Sequence, residues 1–289
     1  MSSISPKLWV VATPLGNPGD LSARGREILG SADLILAEDT RRAGLLLQRL
    51  GVERAKGARF LSLFEHNEQG RIPQALDALR AGESVALISD AGAPLLADPG
   101  YLLVRACREA GFEVSPAPGP CAVTTALMAC GLPPYPYAFL GFPPRKPGDV
   151  RKFFERFADL ELTLVFYERK DRVRKTLEQV YAALGPREFC LARELTKVHE
   201  EFIFGRLELW AETSEELKGE LTVVVGPPES KGMTDEARIE ALLLEESARG
   251  GAPKDIARRV KDRSTGWSVK DIYERIQSER ERRSDESGN

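Results

Sequence analysis

Two histidines and four cysteines in 289 residues leave little material for metal or redox chemistry. His66 and His199 stand far apart, so neither a His-rich cluster nor a helix-borne HExxH site can be built from them. Cys107, Cys121, Cys130 and Cys190 form no CxxC pair, and a chain of this length does not depend on a disulfide framework. Buried free thiols are the expectation, with no metal site. No window approaches the roughly 18 apolar residues of a membrane span. The first residues, Met1-Ser2-Ser3-Ile4-Ser5-Pro6, put no charged stretch ahead of an apolar run, so a cytoplasmic protein is expected. Both GxGxxG and the GKS/GKT of a P-loop are missing, which leaves NAD and ATP unsupported.

Charge of one sign is not in excess either. Lys and Arg number 41 against 44 Asp and Glu, a net charge of −3. That balance excludes a surface that grips nucleic acid by global charge, though not a local basic patch. Such a patch is visible in the sequence. Between residues 141 and 175 stand ten basic residues (Arg145, Lys146, Arg151, Lys152, Arg156, Arg169, Lys170, Arg172, Arg174 and Lys175) against six acidic ones. Charge alone favours a pair of solvated helix faces over a phosphate-binding surface.

What is present is an ordinary globular composition, 42% hydrophobic and 29% charged, enough for two or three domains. Strands are expected over 8–12, 34–37, 85–88 and 112–115, alternating with helices over 22–31, 40–50, 72–81 and 101–110, the rhythm of a parallel α/β layer. A Pro/Gly turn over 116–120 and a helix over 122–130 lead to Gly131-Leu132-Pro133-Pro134-Tyr135-Pro136. A second α/β unit follows, with strands over 162–167, 188–192, 201–204 and 221–225 and a helix over 173–184. The fold class is therefore α/β: a lobe over 1–118 and a lobe over 119–226, with a cleft between them. A linker over 226–232 precedes a helical module over 233–289. Its helices are expected over 234–249, 253–261 and 268–277, the last two with helix-turn-helix spacing, and its tail over 279–289 is expected to be disordered.

Four loops follow strands of the first lobe, where open α/β sheets place their ligands. Ala12-Thr13-Pro14-Leu15-Gly16-Asn17-Pro18-Gly19-Asp20 alone is no more than a turn. Ala37-Glu38-Asp39-Thr40-Arg41-Arg42, taken with Glu65-His66-Asn67-Glu68, serves equally as helix capping and as the lining of a cleft for a polar, anionic substrate. Ser89-Asp90-Ala91-Gly92-Ala93-Pro94-Leu95-Leu96-Ala97-Asp98-Pro99-Gly100 crowds two carboxylates among residues that let a ligand approach the backbone. Ala117-Pro118-Gly119-Pro120-Cys121-Ala122 opens a helix, whose free N–H groups suit a carboxylate or phosphate.

These loops resemble the ribosomal RNA small-subunit methyltransferase I family, of the tetrapyrrole-methylase superfamily. The likeness continues through Gly141-Phe142 with Pro144-Arg145-Lys146, Thr163-Leu164-Val165-Phe166-Tyr167-Glu168, Ala192-Arg193-Glu194-Leu195-Thr196-Lys197 and Gly219-Glu220. It runs in order from about residue 8 to residue 225. The chain departs from the family at Arg169-Lys170-Asp171, where Ser-Pro-His is usual, and has Ala93 and Cys121 where Thr and Ser are common.

The resemblance implies S-adenosylmethionine as methyl donor, and as acceptor the 2′-hydroxyl of a cytidine in 16S rRNA of the small ribosomal subunit, with a homodimer the usual assembly. It implies donor binding by Pro14, Leu15, Gly16, Asp90, Ala91, Gly92, Ala93, Leu96, Cys121, Ala122, Tyr167, Glu168, Glu194 and Leu195. Arg41, Asn67, Arg145, Lys146, Arg151, Lys152 and Arg172 are expected RNA contacts. Deprotonation of the hydroxyl requires a base, for which Glu38, Asp39, His66 and Lys146 are candidates. A small-molecule tetrapyrrole methyltransferase and a catalytically silent ribosome-binding protein are the alternatives.

Overall fold

The computed structural model describes residues 6–214, 217, 219–229 and 234–286, with the side chains of the last helix described as far as Ser278. It comprises two compact units that divide between Pro227 and Pro228. Residues 230–232 of the expected linker, residue 233 and the end of the tail beyond 286 lie outside the described residues.

The first unit holds two sheets. Along its first lobe run β1 (Leu8–Val11), α1 (Ala23–Ser31), β2 (Leu34–Ala37), α2 (Thr40–Arg49), β3 (Arg59–Ser62), α3 (Glu68–Arg80), β4 (Val85–Leu87), α4 (Tyr101–Glu109) and β5 (Val114–Ala117). The strands are all parallel, in the order β3-β2-β4-β1-β5. Every residue of β2 and β4 is buried, as strands covered on both faces must be. Successive side chains of β2 enter opposite layers: Ile35 and Ala37 pack with α1 and α2, Leu34 and Leu36 with α3 and α4.

Three elements differ from expectation. Strand β3 was not foreseen because it is a half-exposed edge strand that opens on Arg59 and carries no continuous apolar run. Helix α3 starts at Glu68, four residues before the expected start, and carries Pro73 inside it, a residue that reads in sequence as a starting signal. Strand β5 lies two residues later than expected and contains Pro116, which an edge strand tolerates.

The second lobe runs α5 (Ala122–Ala129), β6 (Tyr137–Phe139), α6 (Pro147–Glu155), β7 (Thr163–Arg169), α7 (Val173–Leu184), β8 (Glu188–Arg193), β9 (Glu201–Arg206) and β10 (Glu220–Val225). Its order is β6-β7-β10-β8-β9, parallel only between β6 and β7. One face, with Leu164, Phe166, Leu191 and Val223, packs on α6 and α7. The other, with Val165, Cys190 and Val224, packs on α5 and takes in Leu15 from the first lobe. Strand β6 and helix α6 were not foreseen; Pro147 starts α6, and Val150 and Phe154 anchor it beneath an otherwise polar surface.

The second unit consists of α8 (Glu236–Ala248), α9 (Pro253–Asp262) and α10 (Val269–Glu286), closed around Ile239, Leu242, Leu243, Ile256, Val260 and Ile272. Helix α10 continues to Glu286 rather than stopping at Gln277, so the expected disordered tail is helical over residues 279–286. The buried carboxylate of Glu246 receives Arg249, Arg259 and Arg263 at 2.9, 2.8 and 2.6 Å. Three guanidiniums thus serve this unit's own packing.

Candidate functional site

Because the first sheet is wholly parallel, the loops after its strands gather at one edge. Two of them are clasped together: Thr13 N–H donates to Gly92 O at 2.8 Å and Gly92 N–H to Thr13 O at 3.0 Å. Gly92 has φ 79°, and a Cβ there would stand 3.0 Å from Leu15 Cδ2, so the close approach requires glycine. From the second sheet come Tyr167 and Glu168 of β7, Ala192 of β8, the turn after β8, and Leu221 and Thr222 of β10. Together these segments enclose a cavity of about 510 Å³.

Small residues (Ala91, Gly92, Ala93 and Ala122) form one wall, and Leu15, Leu96, Phe142, Tyr167 and Leu195 supply apolar and aromatic surface. Tyr167 is fixed edge-on to Phe139, ring centroids 4.8 Å apart, and tilted against Phe142 at 5.4 Å. Burial pushes its phenol up, with smaller contributions from Cys121 and Asp98, so it stays protonated. Helix α5 begins at the wall with Ala122, and Cys121 provides no side-chain cap for its first N–H groups. Size, flat apolar surface and free helix donors suit a ligand with an aromatic ring and a charged end.

The four described non-glycine residues with positive φ all fall in two loops of this cavity. They are Leu95 (71°), Ala97 (68°), Glu194 (50°) and Thr196 (65°). Each costs about 1–2 kcal/mol, which the surrounding contacts must offset. Lys197 Nζ bonds Glu194 Oε1 at 3.0 Å, Thr196 N–H donates to Glu200 at 2.6 Å, and Asn17 N–H reaches Thr196 Oγ1 at 3.1 Å. At Gly219, with φ 85°, a side chain would collide with the Glu194 carboxylate.

The carboxylates differ sharply in surroundings. Glu168 is buried; its Oε1 accepts the Arg169 N–H at 2.8 Å, and its Oε2 accepts the Thr176 hydroxyl at 2.6 Å and faces Arg172 at 3.4 Å. Burial opposes the charge of Glu194, but Lys197, the Glu220 N–H and Arg193 together hold its carboxyl below the usual range. Asp98 is pushed up to about 6, first by burial and then by the charges of Glu38, Asp90 and Glu220.

A second cavity, of about 540 Å³, is lined by Glu38, Asp39, Thr40, Arg41, Arg42, Ser62, Phe64 and Asp90. Here Asp39 caps α2, accepting the N–H groups of Arg41 and Arg42 at 2.8 and 3.2 Å, bonds that hold its carboxyl below the ordinary value.

Most residues expected around the donor meet in the first cavity: Leu15, Asp90, Ala91, Gly92, Ala93, Leu96, Ala122, Tyr167, Glu168, Glu194 and Leu195. Pro14, Gly16 and Cys121 flank the wall without forming it; Pro14 is buried, Gly16 lies against Lys197, and Cys121 packs on the same apolar cluster as Leu15 and Tyr167. Of the expected bases, Glu38 and Asp39 line the second cavity, whereas His66 and Lys146 are exposed and line neither.

Among the expected RNA contacts, Arg41 lines the second cavity, and Arg145, Lys146 and Lys152 are exposed. Arg151 pairs with Glu155 at 2.9 Å. Two of the expected residues are committed within the fold. Asn67 accepts the Phe64 N–H at 2.8 Å and donates to Ser62 O at 3.2 Å, bracing the turn before α3. Arg172 donates to Pro144 O at 2.7 Å beside buried Glu168. Sequence reasoning assigned no role to Asp98, Phe142, Lys197, Gly219 or Thr222, all of which line the first cavity together with Arg169, Lys170 and Asp171. Asp98 carried a signal, as the second carboxylate of a small-residue loop. Lys197 closed a motif of the resemblance without a role, and Thr222 carried no signal, since only the strand order of the second sheet brings it there.

This fold and cleft define a class. The family model of tetrapyrrole (corrin/porphyrin) methylases matches residues 7–209. Solved structures with the same fold include a cobalt precorrin-4 methyltransferase of cobalamin biosynthesis, at TM-score 0.56 and 18% identity, covering 76% of this chain and 95% of that one. Another is the uroporphyrin-III C-methyltransferase of Thermus thermophilus complexed with S-adenosylhomocysteine, at TM-score 0.55 and 19% identity, covering 76% and 97%.

Likeness in sequence narrows the class. Proteins named ribosomal RNA small subunit methyltransferase I are 41% identical over 282 residues in Micromonospora olivasterospora, covering 96% of this chain and 88% of that protein. In Escherichia coli O157:H7 the figure is 45% over 224 residues, covering 76% and 77%. The chain belongs to the tetrapyrrole methylases and, within them, to the ribosomal RNA small subunit methyltransferase I family.

Proposed function

We propose that this protein methylates the 2′-oxygen of a cytidine ribose in 16S rRNA of the small ribosomal subunit, with S-adenosylmethionine as donor. The observation that carries the proposal is the first cavity, whose small-residue and aromatic walls suit the donor and whose rim holds Arg169 and Lys170 beside the acidic loops. When bound, the donor supplies a methyl group on a positively charged sulfur. Leu15, Leu96, Tyr167 and Leu195 would hold its apolar parts, and the first N–H groups of α5 suit its carboxylate. These walls exclude water and hold the two reacting atoms in line, which is the main catalytic task in a displacement that needs no covalent enzyme intermediate.

Arg145, Lys146 and Lys152, exposed at and near the start of α6, extend the basic rim as an RNA-phosphate surface. A homodimer is supported by exposed Met128, Tyr135 and Phe204, large apolar side chains of the second lobe. A ribosomal substrate implies work in the cytoplasm, and among the described residues no helix is long and apolar enough to cross a membrane.

The test is incubation with labelled S-adenosylmethionine and small subunits lacking the modification, followed by mapping of the label. Label on a cytidine ribose is the expected result. Label on a base would overturn the ribose assignment, and donor binding without labelling would favour a small-molecule acceptor or a silent binder.

A further inference from the structure

We infer that the second cavity receives the nucleobase of the acceptor nucleotide, with Glu38 reading an exocyclic amine and Phe64 providing the face on which the ring stacks. This rests on the RNA-ribose reading above and deepens it. A ribose hydroxyl is alike in every nucleotide, so selection of cytidine requires a group that meets the nucleobase.

The polar side chains around this cavity of about 540 Å³ fall into two sets. Asp39 is committed to the first N–H groups of α2, and Arg42 to Asp90 at 2.8 Å. The side chains of Glu38, Thr40, Arg41 and Ser62 have no hydrogen-bond or ion-pair partner among the described residues. A ligand therefore meets an acceptor-only carboxylate, a guanidinium donor, hydroxyls of either polarity and one aromatic face.

Phe64 is 39% exposed although its backbone is fixed. Its N–H donates to Asn67 Oδ1 at 2.8 Å, and its carbonyl accepts the N–H groups of Asn67 and Glu68 at 2.9 and 3.0 Å. Asn67 thus acts by presenting the ring. An open aromatic side chain on a braced turn is the platform that an unstacked nucleobase needs.

A phosphate suits this cavity less well. Asp39 already occupies the N-terminus of α2, and the uncommitted charges, Glu38 and Arg41, balance each other. A neutral ring with donors and acceptors on its edge matches that set. The amine of cytosine donates to the Glu38 carboxylate, while its ring nitrogen and carbonyl oxygen accept from Arg41 and the hydroxyls. Uracil turns a carbonyl oxygen toward the same carboxylate, so two acceptors oppose each other. Because Asp90 lines both cavities, a nucleobase held here leaves its ribose beside the wall of the first cavity.

The experiment compares full-length wild type, Glu38→Gln, Phe64→Ala and Phe64→Tyr on small subunits that lack the modification and carry either cytidine or uridine at the labelled position. It reads kcat/KM for each subunit, with S-adenosylhomocysteine affinity measured by calorimetry. Wild type should prefer cytidine by about tenfold or more. Glu38→Gln should shrink that preference to within about threefold, because an amide can turn either its oxygen or its NH₂ to the ring. Phe64→Ala should lose about 10- to 100-fold in kcat/KM on both subunits alike, and Phe64→Tyr should stay within about threefold of wild type. In all three variants S-adenosylhomocysteine affinity should stay within about twofold of wild type, which also shows that they are folded.

A Glu38→Gln variant that keeps the full wild-type preference would overturn the inference, including one that loses rate equally on both subunits. So would Phe64→Ala activity within about threefold of wild type, or a roughly tenfold loss of S-adenosylhomocysteine affinity in either variant, which would move these residues to the donor. The two levels fail differently: wild type that labels neither subunit removes the acceptor reading and this one with it, whereas equal labelling of cytidine and uridine riboses removes this one alone.

Discussion

Arg42 Nη1 donates to Asp90 Oδ2 at 2.8 Å, tying the first turn of α2 to the loop after β4. Asp90 lines both cavities, so this one pair sets the electrostatics of their shared wall. The Arg42 side chain is 72% exposed, and an ion pair so open to solvent contributes little to stability. Arg42→Ala should therefore shift the melting midpoint by less than about 3 °C. It should also leave Asp90 uncompensated near Asp98 and move the Asp98 titration, followed by NMR, to higher pH. An unmoved titration would show that the shared wall does not couple the two carboxylates.

Gly92 offers a separate test of the donor wall. An alanine there would have to adopt a φ near 79° and meet Leu15, a penalty of about 1–2 kcal/mol from backbone strain alone. Calorimetry should find S-adenosylhomocysteine affinity reduced ~5- to 30-fold in Gly92→Ala. Unaltered affinity would remove the Leu15–Gly92 contact from the donor site.

The basic segment separates into two kinds of residue. Arg145, Lys146 and Lys152 are exposed and form no ion pair among the described residues. Their triple alanine variant should bind RNA more weakly, at unchanged donor affinity. Its salt slope should be shallower by about 0.7 for each single-strand phosphate that the variant no longer neutralises. Arg172→Ala should behave otherwise, because it strips a cation from buried Glu168 and an anchor from Pro144 O. A destabilisation of about 2–4 kcal/mol is expected, read as a melting midpoint lower by roughly 5–10 °C. An intact salt slope in the triple variant would contradict the RNA surface.

Asp98 also makes a prediction about stability. Its folded-state pKa lies above its unfolded value of 3.8, so between about pH 4 and 6 the folded protein binds more protons and stability falls as pH rises. Above about 6 the penalty is fully present. Asp98→Asn removes it, and after allowance for solvent screening the gain is about 1–2 kcal/mol at pH 7.5, or ~2–6 °C, disappearing near pH 4. Melting curves at the two pH values check this; equal shifts at both would mean that the Asp98 charge is not strained in the fold.

The amino-acid sequence by itself determined the two α/β lobes and much of the lining of the first cavity. Strands such as β2, β4 and β10 are apolar runs, and a parallel sheet must bring the loops after its strands to one edge, so Leu15, Asp90–Gly92 and Ala122 could be located from pattern and resemblance. Edge strands β3 and β6 escaped notice because half-exposed strands of three or four residues carry no such run. The tertiary structure alone decided which polar groups are free. Asn67 and Arg172, expected as RNA contacts, also donate to Ser62 O and Pro144 O, and Asp39 accepts the first N–H groups of α2. Among the described residues Asp98 is left without a hydrogen-bond or ion-pair partner while Asp90, eight positions earlier, finds Arg42. Hydrogen bonding and desolvation depend on groups remote in sequence, so proton affinity becomes defined only when the chain has folded.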